Sequence, residues 1–190
     1  MIETERTGEH GEVTVLHMRG GENRFAPPFL EAVGAALDEL EAAEGPRALV
    51  TTGEGKFYSN GLDLAWMGGE GKDRAGTLLA DVLRLFARVL TLPVYSVAAV
   101  NGHAFAGGLM RALAHDARVM RADRGYACLP EVDLGLPLHP GMTALVRARL
   151  PIATAHDAIV TGRRYGGGEA AAGGLVDEAA PEDVLLERAV

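Results

Sequence analysis

Three short stretches of this 190-residue chain carry residues that could do chemistry together. Asn60-Gly61-Leu62 and Ala106-Gly107-Gly108 each follow a strand-like run and precede a helix-like one. Glycine there leaves backbone N–H groups uncovered at the start of the next helix, where negative charge is favoured. Two such turns at the carboxyl edge of one sheet would aim two N–H donors at a single carbonyl oxygen, which is what a reaction through an enolate requires. The third stretch, Leu129-Pro130-Glu131, sets a carboxylate in the company of Val132, Leu134 and Leu136. Desolvation raises a carboxylate's pKa and makes it a better base near neutrality. Asp133 lies two residues further on, and pattern alone does not choose between the two acids. Each feature also has a plainer use: glycine commonly joins strand to helix, and loop carboxylates are commonly solvated.

The elements that must position these residues alternate between strand and helix. Val13 to Met18 reads as a strand, and Pro27-Pro28 opens a helix with Phe29, Leu30, Val33, Leu37 and Leu40 at helical spacing, ended by Gly45-Pro46. Ala48 to Val50 is a short strand, followed by a glycine-rich loop from Thr51 to Leu64 that runs into a short helical stretch. Gly68 to Lys72 is surface by composition. Arg74 to Leu90 places Leu78, Leu79, Val82, Leu85, Phe86 and Val89 on one helical face. The apolar strand Val94 to Val100 leads through the second glycine turn to a helix from Leu109 to His115. Met142 to Leu150 and Ala153 to Thr161 read as helices, Gly162 to Gly168 as a loop, Gly174 to Asp177 as a strand, and Pro181 as the start of a last helix. The order predicts one α/β domain over residues 1–190, with strands crossing over through helices.

Composition narrows the function. With 48% hydrophobic and 23% charged residues the chain resembles an ordinary globular domain. Its net charge of −8 argues against a nucleic-acid partner. A lone cysteine, Cys128, gives no disulfide framework within the chain. The polar, acidic N-terminus is no signal peptide, and no apolar run approaches the ~18 residues of a membrane span, so the expectation is a soluble, cytoplasmic protein. The two serines, Ser59 and Ser96, lie outside any Gly-x-Ser-x-Gly elbow. The six histidines lack a two-histidine helical spacing with a carboxylate, so no metal site is expected. Gly53-Glu54-Gly55-Lys56 is followed by Phe57, not Ser or Thr, which removes a phosphate-loop reading.

Gly55-Lys56-Phe57-Tyr58-Ser59-Asn60-Gly61-Leu62-Asp63-Leu64, then Val97 to Gly108 with Asn101-Gly102 and Ala106-Gly107-Gly108, then Leu129 to Leu136, together resemble the crotonase superfamily of enoyl-CoA hydratases and isomerases. The resemblance implies a ββα-repeat spiral fold. It implies that the N–H groups of Leu62 and Gly107 form the oxyanion hole for a CoA thioester, and that Ser59, Asn60, Gly61, Asp63 and Leu64, with Gly108, contact the substrate. Hydratases of the superfamily use two glutamates, at the positions of Met110 and Glu131 here. A methionine at the first resembles the single-glutamate Δ3,Δ2-enoyl-CoA isomerases, and the wording of Ser59 to Trp66 is similar to the peroxisomal isomerases of plants. Glu131 would then take the C2 proton of a 3-enoyl thioester and return it at C4, with no cofactor beyond the CoA that belongs to the substrate. The resemblance further implies a homo-oligomer, trimer or hexamer. By the same resemblance the helices that usually close the acyl pocket and build the trimer would be largely missing from this sequence, which is then either a piece of a longer chain or a short variant. Hydration, hydrolysis or decarboxylation of an acyl-CoA stays open as an alternative, as does acyl-CoA binding without turnover. The positions of Asp133 and His139 relative to the substrate also stay open.

Overall fold

A computed structural model describes residues 2–190. In chain order the strands are β1 (Ile2–Thr7), β2 (Val13–Met18), β3 (Ala48–Gly53), β4 (Phe57–Ser59), β5 (Tyr95–Val100), β6 (His103–Phe105), β7 (Ala117–Arg121), β8 (Ala127–Cys128) and β9 (Glu178–Ala180). The helices are α1 (Pro27–Ala42), α2 (Leu64–Gly68), α3 (Ala75–Leu90), α4 (Gly107–Leu113), α5 (Pro140–Arg149), α6 (Ile152–Thr161), α7 (Gly167–Ala172) and α8 (Leu185–Ala189). Short 3₁₀ turns cover Lys72–Arg74, Pro130–Val132 and Glu182–Val184. Among the described residues no helix is long and apolar enough to cross a membrane.

The strands divide between two sheets. The larger has six in the order β1-β2-β3-β5-β7-β9, parallel except for the β1–β2 pair. The smaller is β4-β6-β8, all parallel. After β3, β5 and β7 the chain turns a corner, adds one short strand to the small sheet and enters a helical segment. This is the ββα spiral that the resemblance implies. Asn101 stitches one corner to the next: its Oδ1 accepts the Gly53 N–H at 2.8 Å and its Nδ2 donates to the Gly55 carbonyl at 3.2 Å.

The main core lies on one face of the large sheet. Val33, Leu37 and Leu40 of α1, Val82, Phe86 and Val89 of α3, and Leu109 and Leu113 of α4 join it. Burial of each such side chain contributes about 1.5–3 kcal/mol. On the opposite face Val13, Val15, Val50 and Val119 pack under Leu185 and Ala189 of α8. Strands alternate their side chains between these two cores, which is why β2 buries nearly all of its residues.

Several elements differ from the sequence reading. The strand near the C-terminus is Glu178–Ala180, not Gly174 to Asp177; Leu175 and Val176 are buried in a turn, and Asp177 pairs with Arg118 at 2.8 Å. The expected loop up to Gly168 already contains the start of α7. The last helix begins as a 3₁₀ turn after Pro181 and becomes α-helical at Leu185. The strand expected from Val94 begins at Tyr95 and does not feed the second glycine turn directly, because β6 intervenes.

Candidate active site

Parallel pairing brings the carboxyl ends of β4, β6 and β8 to one edge. Asn60-Gly61-Leu62 leaves β4, Ala106-Gly107 leaves β6 in the middle, and Leu129-Pro130-Glu131 leaves β8. The three stretches singled out in the sequence are therefore neighbours. The edge that carries them belongs to the small sheet, not to the long apolar strand.

Hydrogen bonding sets the direction of the first donor. Phe25 N–H donates to the Gly61 carbonyl at 2.7 Å and Asp63 N–H donates to the Phe25 carbonyl at 3.1 Å. The intervening Leu62 N–H faces the other way, as alternate groups of an extended segment must. Among the described residues neither the Leu62 N–H nor the Gly107 N–H donates to another group of the chain. Each donor follows a residue with positive φ: Gly61 at +74° and Ala106 at +52°. For Ala106 that conformation costs about 1–3 kcal/mol and persists only because its surroundings enforce it. Its own N–H is anchored to the Cys128 carbonyl at 2.9 Å. A Cβ on Gly61 would lie 2.9 Å from the Gly107 nitrogen, so the two donor loops touch and only glycine fits.

The residues expected along the substrate separate into two groups. Ser59, Gly61 and Gly108 are buried and build the loops. Ser59 Oγ donates to the Asn23 carbonyl at 2.8 Å and accepts the Gly61 N–H at 3.2 Å. A Cβ on Gly108 would lie 2.2 Å from the Ser59 carbonyl oxygen, so α4 rests directly on the end of β4. Asn60, Leu62 and Asp63 are half-buried and Leu64 is exposed, leaving them at the surface of the loop. Asn60 donates to Glu22 Oε2 at 3.1 Å, and that bond, ahead of the one from Arg24, holds the Glu22 carboxyl below its ordinary range. Asp63 Oδ1 accepts the Trp66 N–H at 3.0 Å and caps α2.

Glu131 sits in the Pro130–Val132 turn, half-buried. Its Oε2 is enclosed and has no hydrogen-bond partner among the described residues. Burial raises its pKa, partly offset by its own backbone N–H. Asp133 is exposed and lies beside Gly162, so burial separates the two acids where sequence pattern did not. His139 is exposed and caps α5, its Nδ1 accepting the Gly141 N–H at 3.1 Å. Met110 is fully buried. Cys128 is buried, with its Sγ donating to the Gly162 carbonyl at 3.2 Å.

Sequence reasoning missed Asn23. It is buried, with φ +49°, accepts the Gly20 N–H through Oδ1 at 2.8 Å and donates through Nδ2 to the Tyr58 carbonyl at 3.1 Å. It braces β4 just before the first donor loop. The available signal was its place after Gly20-Gly21, since asparagine tolerates left-handed turns.

An edge with two free N–H donors and a carboxylate that has one enclosed, unpartnered oxygen can hold an oxyanion and move a proton beside it. The chain belongs to the enoyl-CoA hydratase/isomerase family, whose profile matches residues 9–190. It is 38% identical over 180 residues to the peroxisomal enoyl-CoA delta isomerase 2 of Arabidopsis thaliana, covering 90% of this chain and 75% of that protein. It is 41% identical over 193 residues to a putative enoyl-CoA hydratase of Thermus thermophilus, covering 95% of this chain and 73% of that one. Among solved structures, the probable enoyl-CoA hydratase EchA3 of Mycobacterium tuberculosis superposes with a TM-score of 0.91 at 28% identity, over 99% of this chain and 78% of that chain. It is thus an enzyme of the crotonase superfamily, and both hydratase and isomerase names occur among its relatives.

Proposed function

We propose that the protein shifts the double bond of a 3-enoyl-CoA into conjugation, giving the 2-enoyl-CoA. The thioester carbonyl accepts from the Leu62 and Gly107 N–H groups. The Glu131 carboxylate removes a C2 proton, and the electron pair moves onto the thioester oxygen to form a dienolate. The Glu131 carboxyl then delivers the proton to C4, leaving the new double bond between C2 and C3. The proton returns to the carbon chain, so the step is balanced without a cofactor.

The observation that carries this reading is the enclosed Glu131 oxygen at the same sheet edge as two unengaged N–H donors. Desolvation keeps the base strong enough to act near neutrality, and fixed N–H donors stabilise the dienolate without reorganising. Met110, fully buried four residues after Ala106, supplies no second carboxylate to hold a water. That favours isomerisation over hydration. Asn60, Asp63 and Leu64, at the surface of the first donor loop, are the residues proposed to lie along the CoA moiety.

Incubation with a medium-chain 3-enoyl-CoA, followed by mass analysis of the product, tests the assignment. Isomerisation leaves the mass unchanged and creates a conjugated thioester. A product heavier by one water, or free CoA with the acid, would replace the proposed reaction with hydration or hydrolysis.

A further inference from the structure

Arg111 is the largest side chain in the fully buried core, and nothing in the proposed chemistry uses it. Its guanidinium lies over the rings of Tyr58, 5.7 Å from the centroid, and Phe29, at 5.9 Å. One nitrogen donates to the sulfur of Met18, and Nε has no partner among the described residues. Nor does an acidic side chain among the described residues form an ion pair with it: burial lowers its pKa and Tyr58 is the one group acting against that.

The polar groups around it are neutral. A carbonyl only accepts, so His115 Nδ1–H donates to the Arg111 carbonyl at 2.9 Å. Its Nε2 then accepts from Thr51 Oγ1 at 3.0 Å, and Tyr58 O–H must donate to Thr51 Oγ1 at 2.8 Å. Burial, followed by the charge of Arg111, pushes His115 down to about 3, which keeps it uncharged. Arginine itself stays protonated in proteins. The pocket therefore holds one positive charge and no counter-ion, an arrangement that costs stability unless an anion answers it.

Two chain segments join the guanidinium to the donor edge by the same number of steps, one through Tyr58 beneath it and one along its own helix. Tyr58 lies four residues before Leu62, and Gly107 lies four residues before Arg111. Four residues of helix rise about 6 Å, and helical side chains lean back toward the N-terminus. That geometry puts the charge on the order of 10 Å from where the thioester oxygen would sit.

We propose that Arg111 is a positioning residue for charge: it touches no reacting atom, and its buried guanidinium biases the Leu62 and Gly107 donor edge toward the enolate over the neutral thioester. The inference rests on the enolate chemistry proposed above. The missing counter-ion is the negative charge that forms on the substrate. A unit charge at about 10 Å through a protein interior favours the anion roughly tenfold.

The test uses acetoacetyl-CoA, which ionises to a strongly absorbing enolate, and butyryl-CoA, which does not. In Arg111→Met, the pH at which bound acetoacetyl-CoA ionises should rise by about one unit, equivalent to about tenfold. Butyryl-CoA affinity should stay as in the wild type, and resistance to urea should stay equal or increase, because a buried unpaired charge has been removed. If Arg111→Met does not fold, Arg111→Gln carries the same comparison. An unchanged ionisation pH in the folded variant overturns the inference. So does an equal loss of butyryl-CoA and acetoacetyl-CoA affinity, which is the mark of a purely structural role. If the wild type binds acetoacetyl-CoA without favouring its enolate, the enolate reading itself fails and the inference falls with it.

Discussion

Substituting Gly108 by alanine probes the donor edge without touching a reacting group. The new Cβ would lie 2.2 Å from the Ser59 carbonyl oxygen, 2.8 Å from its carbon and 2.9 Å from its Cβ, whereas ordinary contact begins at 3.4 Å. Restoring contact needs about 1.2 Å of separation (3.4 minus 2.2) between α4 and the end of β4. Ser59 is locked to Asn23 and Gly61, so α4 must move and carry the Gly107 N–H away from its place beside Leu62. Overpacking of this kind costs about 1–3 kcal/mol of stability. A displacement of about 1 Å at a reacting centre costs on the order of 10²-fold in rate, comparable to losing one oxyanion donor. The assay is turnover of a 3-enoyl-CoA by ultraviolet absorbance, run beside a urea melt. A folded Gly108→Ala protein with kcat within about threefold of wild type would refute the donor role of Gly107, because that effect lies far below the loss expected for one donor.

Three further outcomes concern Glu131 and Ser59. Burial raises the Glu131 pKa, so the acid limb of kcat/KM should lie above the ordinary carboxylate range, with activity falling as the base protonates; a pH profile whose limb sits at the ordinary value would contradict this. By linkage, the raised folded-state pKa makes Glu131 least favourable to stability above that pKa. Glu131→Gln should therefore be more stable than wild type near neutrality, and the difference should disappear as pH falls below the unfolded-state pKa, measured by urea midpoints. Ser59→Ala strands the Asn23 carbonyl and the Gly61 N–H in a buried site, which should cost about 1–3 kcal/mol of urea stability; a loss below a few tenths would show that the loop holds its shape by other contacts.

The three stretches at the donor edge were more legible in the sequence than the sheet that presents them. Glu131 stood out for its apolar neighbours, but Val132, Leu134 and Leu136 are exposed in the structure and of the flanking leucines only Leu129 is buried, so the enclosure of Oε2 comes from the fold and not from that local company. The glycine turns were legible because close approach demands them, as Gly61 against Gly107 shows. The small sheet was not, since strands of three, three and two residues are too short for any periodicity to register. β1 went unread because it is a sheet edge exposed along most of its length, so its residues Ile2–Thr7 carry no apolar pattern. α7 buries only Gly167 and Ala170, and its start depends on the Glu169 carboxylate accepting the Gly166 N–H at 3.3 Å. Leu175 and Val176 look like a strand because they are buried, but burial in a turn leaves the same apolar mark. Arg111 ran against the pattern altogether, a charged residue on a helix that is buried on every face.

The most direct measurement is the absorbance of the conjugated 2-enoyl thioester formed from a medium-chain 3-enoyl-CoA, with wild type and Glu131→Gln compared at equal concentration. A rise in the wild type that is slower by about 10²- to 10⁴-fold in the variant is the expected result for a proton shuttle. A variant that turns over within about tenfold of wild type, below the range for general acid–base catalysis, would contradict the role of Glu131 and leave the donor edge without its base.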